Sequence, residues 1–387
     1  NGADTAWMMT STALVLLMTL PGIALFYGGM VRKKSVINTM ACVVAISAIV
    51  SLLWFAIGYS WAFTPGSGWL GGTDRMGFAG LEYLKEAGKV AVSHVAPNVP
   101  ESVYAMFQLT FAIITAALVV GAFVERMKFS AMVVFISLWS VLVYAPIAHW
   151  VWEPGGWLAK LGALDFAGGS VVHINAGITG LVCAYFVGPR RGYGREPFEP
   201  FNLGLTMAGA GLLWVGWFGF NAGSAFGANN LTVTALATTT TASAAAAFTW
   251  IIFDAWRGRK PSAMGTCIGA VVGLVAITPA AGYISIAHSL TVGIVSSVVS
   301  NLMVEWRTKT SIDDTLDVFP CHGVGGIVGF LLTAVFANQA INSGNTTGNG
   351  LLFGQSHLFV VHLVTVIGVS VFAFGGTFIL LKITDWI

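Results

Sequence analysis

The chain has 387 residues, of which 56% are hydrophobic and only 9% charged, with a formal net charge of +2 and a mean hydropathy of +0.81. Soluble domains carry roughly 25% charged residues, so this composition excludes an ordinary water-soluble domain and implies a polytopic membrane protein. The net charge is uninformative in itself, and no basic run suggests nucleic acid as a partner. The four cysteines (Cys42, Cys183, Cys267, Cys321) lack the paired spacing of a disulfide framework.

A spanning helix takes about 20 mostly apolar residues. In chain order such segments occur at 6–30, 38–63, 101–124, 129–149, 169–188, 203–224, 232–256, 261–279, 287–305, 317–336 and 357–382. This predicts an all-α membrane protein of eleven transmembrane helices. Pro21, Gly22 and Gly219 inside the segments do not veto the reading, because membrane helices accept both residue types. One set of alternate loops holds Arg32, Lys33, Lys34, Arg126, Lys128, Arg190, Arg191, Arg195, Arg257, Arg259, Lys260, Arg307 and Lys309, and Lys382 ends the last helix. The other set holds only Arg75, Lys85, Lys89 and Lys160. The positive-inside rule therefore places the first set in the cytoplasm, the N-terminus outside and the C-terminus inside. Trp61, Trp69, Trp150, Trp152 and Trp157 then cluster near the outer ends, as interfacial aromatics do, and the long stretch 64–100 is external. Asn345-Thr346-Thr347 fits a glycosylation sequon, a pattern so short that it is most often accidental.

The fifth segment carries a histidine, His173, among apolar residues, and it has an echo. "HINAGITGLV" from His173 can be laid over "HGVGGIVGFL" from His322 in the tenth segment. Five helices per repeat is an odd number, so the second copy is inverted in the membrane, as in many transporters. The expected organisation is one transmembrane domain over 1–387, with repeat one at about 6–188, repeat two at about 203–336 and a last helix at about 357–382. The inversion sets the two imidazoles one above the other along the membrane normal. Small residues behind them (Ala176, Gly177, Gly180; Gly325, Gly326, Gly329) let helices approach closely. A lone intramembrane histidine reads equally well as a packing residue. A matched pair points to function, because polar groups in lipid are costly. His362 has no such counterpart and reads as packing. Asp165 and Asp317 precede helices five and ten, where a helix N-cap is the default role. No ligand set completes a metal site around Cys321 and His322. "GVGGIVG" fails the dinucleotide fingerprint, and no nucleophile–base set is visible. No cofactor, metal or enzymatic activity is expected.

Several long motifs, in order, resemble the Amt/Mep/Rh family of ammonium transport proteins, in its bacterial and archaeal Amt branch. They are "TALVLLMTLPGIALFYGGMVRKK" at 12–34, "MFQLTFAIITAALVVGAFVERMKFSA" at 106–131, "YAPIAHWVW" at 144–152 and "GALDFAGGSVVHINAG" at 162–177. "WVGWFGFNAGSA" at 214–225, "ITPAAGYI" at 277–284 and "DVFPCHGVGGIVG" at 317–329 continue the match. The resemblance implies an outer ammonium-recruitment site at Trp152, Phe107 and Ser224, and a stacked gate of Phe107 and Phe220 beneath it. It also implies a pore lined by His173 and His322, with Asp165 supporting the recruitment site indirectly. It further implies a homotrimer in the cytoplasmic membrane, with one pore per subunit.

The residues accord with that reading. The topology brings Phe107, Trp152, Phe220 and Ser224 to the outside from three separate helices. An aromatic face attracts a cation, a hydroxyl adds an acceptor, and a dry constriction resists a bare ion. Three departures bear on function. "WEPGG" follows the outer site where many relatives have a run of glycines. "EPFN" at 199–202 replaces a "PHN" common in relatives, which bears on docking of the PII signalling protein. The chain stops at "KITDWI", before the cytoplasmic tail of relatives. A conducting channel for ammonium, carried as ammonia plus a proton, is the leading expectation. The alternative is an ammonium-sensing input domain joined to a C-terminal signalling domain.

Overall fold

The computed structural model describes residues 1–86, 88 and 90–387, so Lys89 of the external set lies outside the described residues. Among the described residues ten helices are long and apolar enough to span a bilayer: α1 (Gly2–Met30), α2 (Lys33–Phe63), α3 (Glu101–Phe123), α4 (Phe129–Leu161), α5 (Gly169–Val187), α6 (Leu203–Ala222), α7 (Asn230–Trp256), α9 (Ile286–Thr308), α10 (Phe319–Phe336) and α11 (His357–Trp386). The eleventh expected span, α8 (Ala263–Ile277), is only 15 residues long. At 1.5 Å per residue it covers roughly 22 Å, short of a hydrocarbon core of about 30 Å.

The chain after α8 continues over 278–285 without a helix, and carbonyls of this stretch are satisfied by protein. The Pro279 carbonyl accepts from Phe166 N at 3.2 Å and that of Tyr283 from Asn338 N at 2.9 Å. The Ala281 carbonyl accepts from Thr238 Oγ1 at 2.9 Å. Irregular backbone at membrane depth is tolerated only when protein surrounds it in this way.

Helix starts follow the side chains available. Asn202, Ser262 and Ser285 accept from the backbone N–H groups of Leu205, Gly265 and His288. Asn229 and Thr232 form a reciprocal capping box on α7. α3 is apolar all round and almost wholly buried, as a helix at the centre of a bundle must be. α2, α7 and α11 turn residues such as Ile37, Phe248 and Val371 outward, the face a lipid-contacting helix presents.

Two helices that open on π-turns cross at the centre. α5 and α10 each begin with a π-helical turn, Gly169–Ile174 and Phe319–Val324, holding His173 and His322. Such turns are uncommon and recur at functional sites. A Cβ on Gly177 would lie 2.2 Å from Gly323 Cα, and one on Gly326 would lie 3.2 Å from Ile174 Cγ1. Adding the offset between the histidines (322 − 173 = 149) turns Gly177 into Gly326 and Ile174 into Gly323. The two contacts therefore exchange as a local two-fold requires.

The aspartates correct one expectation. The N-cap role assigned to Asp317 falls to Asp314, whose Oδ2 accepts from Phe319 N at 2.7 Å. Asp314 stands eight residues before His322, as Asp165 stands eight before His173, so register selects it. Asp317 instead adopts a left-handed backbone (φ 55°) and takes Arg307 Nε at 2.8 Å.

His362 is a packing residue: Nδ1 meets the Phe330 carbonyl at 2.6 Å, and Nε2 accepts from Leu164 N at 3.2 Å. Trp150 is buried against Trp69, Trp157 and Phe372 rather than exposed at an interface. The sequon at Asn345 is spent internally. Its side chain is 2% exposed, accepts from Thr347 and Gly348 N–H, and donates to Gly348 O. The four cysteines are unpaired.

Candidate functional site

A cavity of about 270 Å³ opens at the ends of α3, α4 and α6, lined among others by Tyr104, Gln108, Phe111, Trp152, Ser224 and Phe226. Tyr104, Gln108 and Phe111 follow one another at spacings of four and three, one face of α3. Trp152, at the end of the first stretch of α4, is half-buried. Its Nε1 donates to the Asp165 carbonyl at 2.9 Å, which fixes the indole with its face toward Phe63 (6.4 Å, 14°) and Phe111 edge-on (5.8 Å, 83°). Ser224 Oγ donates to Phe220 O at 2.8 Å, leaving the hydroxyl lone pairs free to accept. Gln108 Nε2 is 3.3 Å from Tyr104 OH, and its buried Oε1 has no partner among the described residues.

Asp165 holds the turn that carries Trp152's acceptor. Its carboxylate accepts from Gly168, Gly169, Ser170 and Val171 N–H and from Ser170 Oγ. Burial pushes the carboxyl above the usual carboxylate range, while the bonds from Ser170, Gly168 and Gly169 pull it back. The left-handed Gly168 (φ 113°) leaves no room for a side chain, since a Cβ there would lie 2.6 Å from Val172 Cγ2. The aspartate meets the indole only through its backbone carbonyl.

Beneath the cavity the stacked pair is Phe111 and Phe220, with centroids 4.2 Å apart and planes at 18°. The expected pair of Phe107 and Phe220 is thus corrected at one position. Phe107 lies one turn outward on the same helix, tilted against Phe111 (4.9 Å, 59°) and edge-on to Phe226 (6.3 Å, 87°). It is fully buried and is not among the residues lining the cavity. "FQLTF" at 107–111 held the signal, since residues four apart share a helix face and either phenylalanine could have been the inner one. Phe220 sits on a π-turn of α6 (Phe218–Ala222). Gly219 and Gly223 pack that turn against Ser11 on α1.

Below the Phe pair come Trp217 and His173, stacked at 5.5 Å and 19°, and then His322. His173 Nδ1 and His322 Nδ1 are 3.3 Å apart, with rings nearly parallel at 24°. Both rings are buried, and His173 Nε2 has no hydrogen-bond partner among the described residues. Trp152, Phe111, Phe220, His173 and His322 therefore form one continuous line of rings from this cavity to the centre of the fold. Of the residues singled out from sequence, the structure brings Trp152, Ser224, Phe220, His173 and His322 to this line, with Asp165 beside it and Phe107 behind it. Tyr104, Gln108, Phe111 and Phe226 were not anticipated.

The profile of the Ammonium Transporter Family matches residues 6–387. The ammonium transporter of Aquifex aeolicus is 46% identical over 372 residues, which cover 96% of this chain and 84% of the relative. The crystal structure of Saccharomyces cerevisiae Mep2 superimposes with a TM-score of 0.91 at 35% identity, covering 98% of this chain and 84% of that one. A solved structure described as a sensor Amt protein superimposes with a TM-score of 0.88 at 25% identity, covering all of this chain and 94% of that one.

Proposed function

Because this chain belongs to the Ammonium Transporter Family, a multi-pass membrane family of transporters rather than enzymes, we propose that the line of rings is its conduction path. In this reading the outer cavity collects ammonium, and the Phe111/Phe220 pair excludes a hydrated ion. The histidine pair then passes ammonia and carries the proton separately. The observation that supports it most is the 3.3 Å contact between the two Nδ1 atoms directly below an aromatic constriction.

The chemistry follows from the groups. Ring faces of Trp152 and Phe111 attract a cation, by up to about 2 kcal/mol when partly desolvated, and Ser224 and Gln108 supply acceptors that its N–H groups need. Past the Phe pair water is excluded, and a charge at mid-membrane costs at least ~2.5–3.5 kcal/mol. Releasing the proton is the lower-energy course. Two neutral imidazoles facing through Nδ1 share one proton, so one Nε2 is a donor and the other an acceptor. Such a pair hydrogen-bonds ammonia in a bore with few other polar groups, and the two roles exchange when one Nε2 takes up a proton, the shared proton shifts across the Nδ1 contact, and the other Nε2 releases its own.

The membrane orientation, with the N-terminus outside, and a homotrimer with one path per subunit belong to the same proposal. They rest on the loop charges and on the family resemblance. The likeness to a sensor Amt protein favours one second reading, in which ammonium binds at the same outer site and the path below stays closed. Ammonium-evoked currents from proteoliposomes holding the wild-type chain separate the two. A current that saturates with ammonium supports conduction. Saturable binding without current, where a conducting relative gives current, supports the sensor.

A further inference from the structure

Directly after Trp152 comes Glu153, whose carboxylate is buried (2% exposed) behind the cavity wall. Oε2 accepts from Gly155 N at 2.5 Å, and Oε1 lies 3.1 Å from His94 Nε2. His94 comes from the external 64–100 segment and is the only ionisable partner of Glu153 within ion-pair distance among the described residues. The neighbours of the pair, Val151, Trp152 and Val95, line the cavity, as does Tyr104, which is close enough to feel the Glu153 charge. The other charged and titratable groups around it are committed. Glu101 is held by Arg75 and Tyr59, Asp165 by its own turn, and both nitrogens of His149 face the carbonyls of Ala62 and Ser67.

We infer that Glu153 is an affinity-determining residue of the outer site, its buried carboxylate raising the occupancy of a small monovalent cation in the cavity, and that His94 sets how much of that charge is felt. The inference rests on the reading of the cavity as the recruitment site. A charge in a poorly solvated wall acts on a neighbouring cation with little screening by salt. Imidazoles change charge between about pH 5 and 8. A neutral His94 leaves the carboxylate unopposed, and a protonated one cancels most of its field. Acidification therefore weakens cation attraction at the entry. His94 and Glu153 are positioning residues that touch no substrate.

The test is the half-saturating ammonium concentration for current or binding in proteoliposomes, across pH 5.5 to 7.5, for the wild type and for Trp152→Leu, Glu153→Gln and His94→Gln. Glu153→Gln keeps a carbonyl oxygen for Gly155 N–H and turns its NH2 toward His94 Nε2, where a neutral imidazole accepts, so it removes the charge while leaving each group a hydrogen-bond partner. At pH 7.5 it should raise half-saturation roughly 3- to 10-fold, with maximal current unchanged. In the wild type half-saturation should rise on acidification, and that rise should vanish in both Glu153→Gln and His94→Gln. A merely structural role would lower the maximum and leave the pH profile intact. If Trp152→Leu weakens ammonium while Glu153→Gln does not, or if the acid-sensitive component survives in His94→Gln, the inference fails and the recruitment site stands. If Trp152→Leu itself leaves half-saturation unchanged, the reading of the cavity fails first.

Discussion

Phe107 and Phe111 lie one turn apart on α3, and their truncations should differ in kind. Both are buried, so either change to alanine should cost about 3–5 kcal/mol of stability, read as a lowered thermal midpoint in detergent. Only Phe111→Ala removes the ring stacked at 4.2 Å on Phe220, so only it should let methylammonium or a larger cation through in flux assays. Equal selectivity in the two variants would show that the stack is not the constriction. Trp152→Leu should weaken ammonium binding by up to about 2 kcal/mol, roughly 30-fold, as measured by calorimetry. Asp314 yields a pH prediction. Burial and the nearby Asp317 charge push its carboxyl up to about 6, against the pull of the Phe319 and Val318 N–H groups and Arg307. That lies above the ordinary value of about 3.9, so the folded protein holds a proton that the unfolded chain has released. This contribution makes stability fall as pH rises from about 4 to 6 and stay level above. Two pKa units correspond to about 3 kcal/mol. Asp314→Asn, which keeps the cap acceptor, should raise the thermal midpoint at pH 7.5 and flatten that acid-side slope. A lower midpoint at pH 7.5 would mean the charge is needed by its arginine neighbours.

At the scale of elements, the crossing of α5 and α10 depends on missing side chains. A Cβ on Gly177 would lie 2.2 Å from Gly323, and one on Gly329 would lie 2.0 Å from the Ala276 carbonyl. Neither site can absorb a methyl group by moving a flexible side chain, because both neighbours are backbone. Gly177→Ala should therefore separate the helices and break the His173–His322 contact, lowering both thermal midpoint and ammonium current. Gly375→Ala, with nothing within 4 Å of the added carbon, should leave both unchanged. These elements explain what could be read beforehand. Apolar length alone marked eleven segments, and the small residues beside each histidine marked the crossing, since both are local properties of the sequence. The π-turns under His173, Phe220 and His322 had no local mark, for they arise where a helix adapts to its neighbours. The same holds for Phe111. "FQLTF" presents two candidates one turn apart, and the choice between them depends on how far α3 is inserted beside α6. The shortness of α8 was hidden because the segment after it is apolar too, and only its tertiary hydrogen bonds make a helix unnecessary there.

Across the whole molecule, outer cavity, aromatic pair and histidine pair align because two halves of five helices meet about a pseudo-two-fold with His173 and His322 near it. The proposed orientation has a direct check: a cysteine at position 193, in the loop between α5 and α6, should resist impermeant thiol reagents applied from outside and react in inverted vesicles. The central claim is that ammonium's route runs through the Phe111/Phe220 stack and the histidine pair. Currents recorded from proteoliposomes with ammonium and with potassium, for the wild type and for His173→Asp, address it most directly. The wild type should give a saturable current with ammonium and none with potassium, because a bare ion finds no neutral carrier in the bore. With an acidic group in place of His173, potassium should begin to carry current, since a fixed negative charge there offsets part of the cost of bringing in a cation. An ammonium current with unchanged magnitude and unchanged exclusion of potassium in the variant would contradict the account, for it would place the route elsewhere.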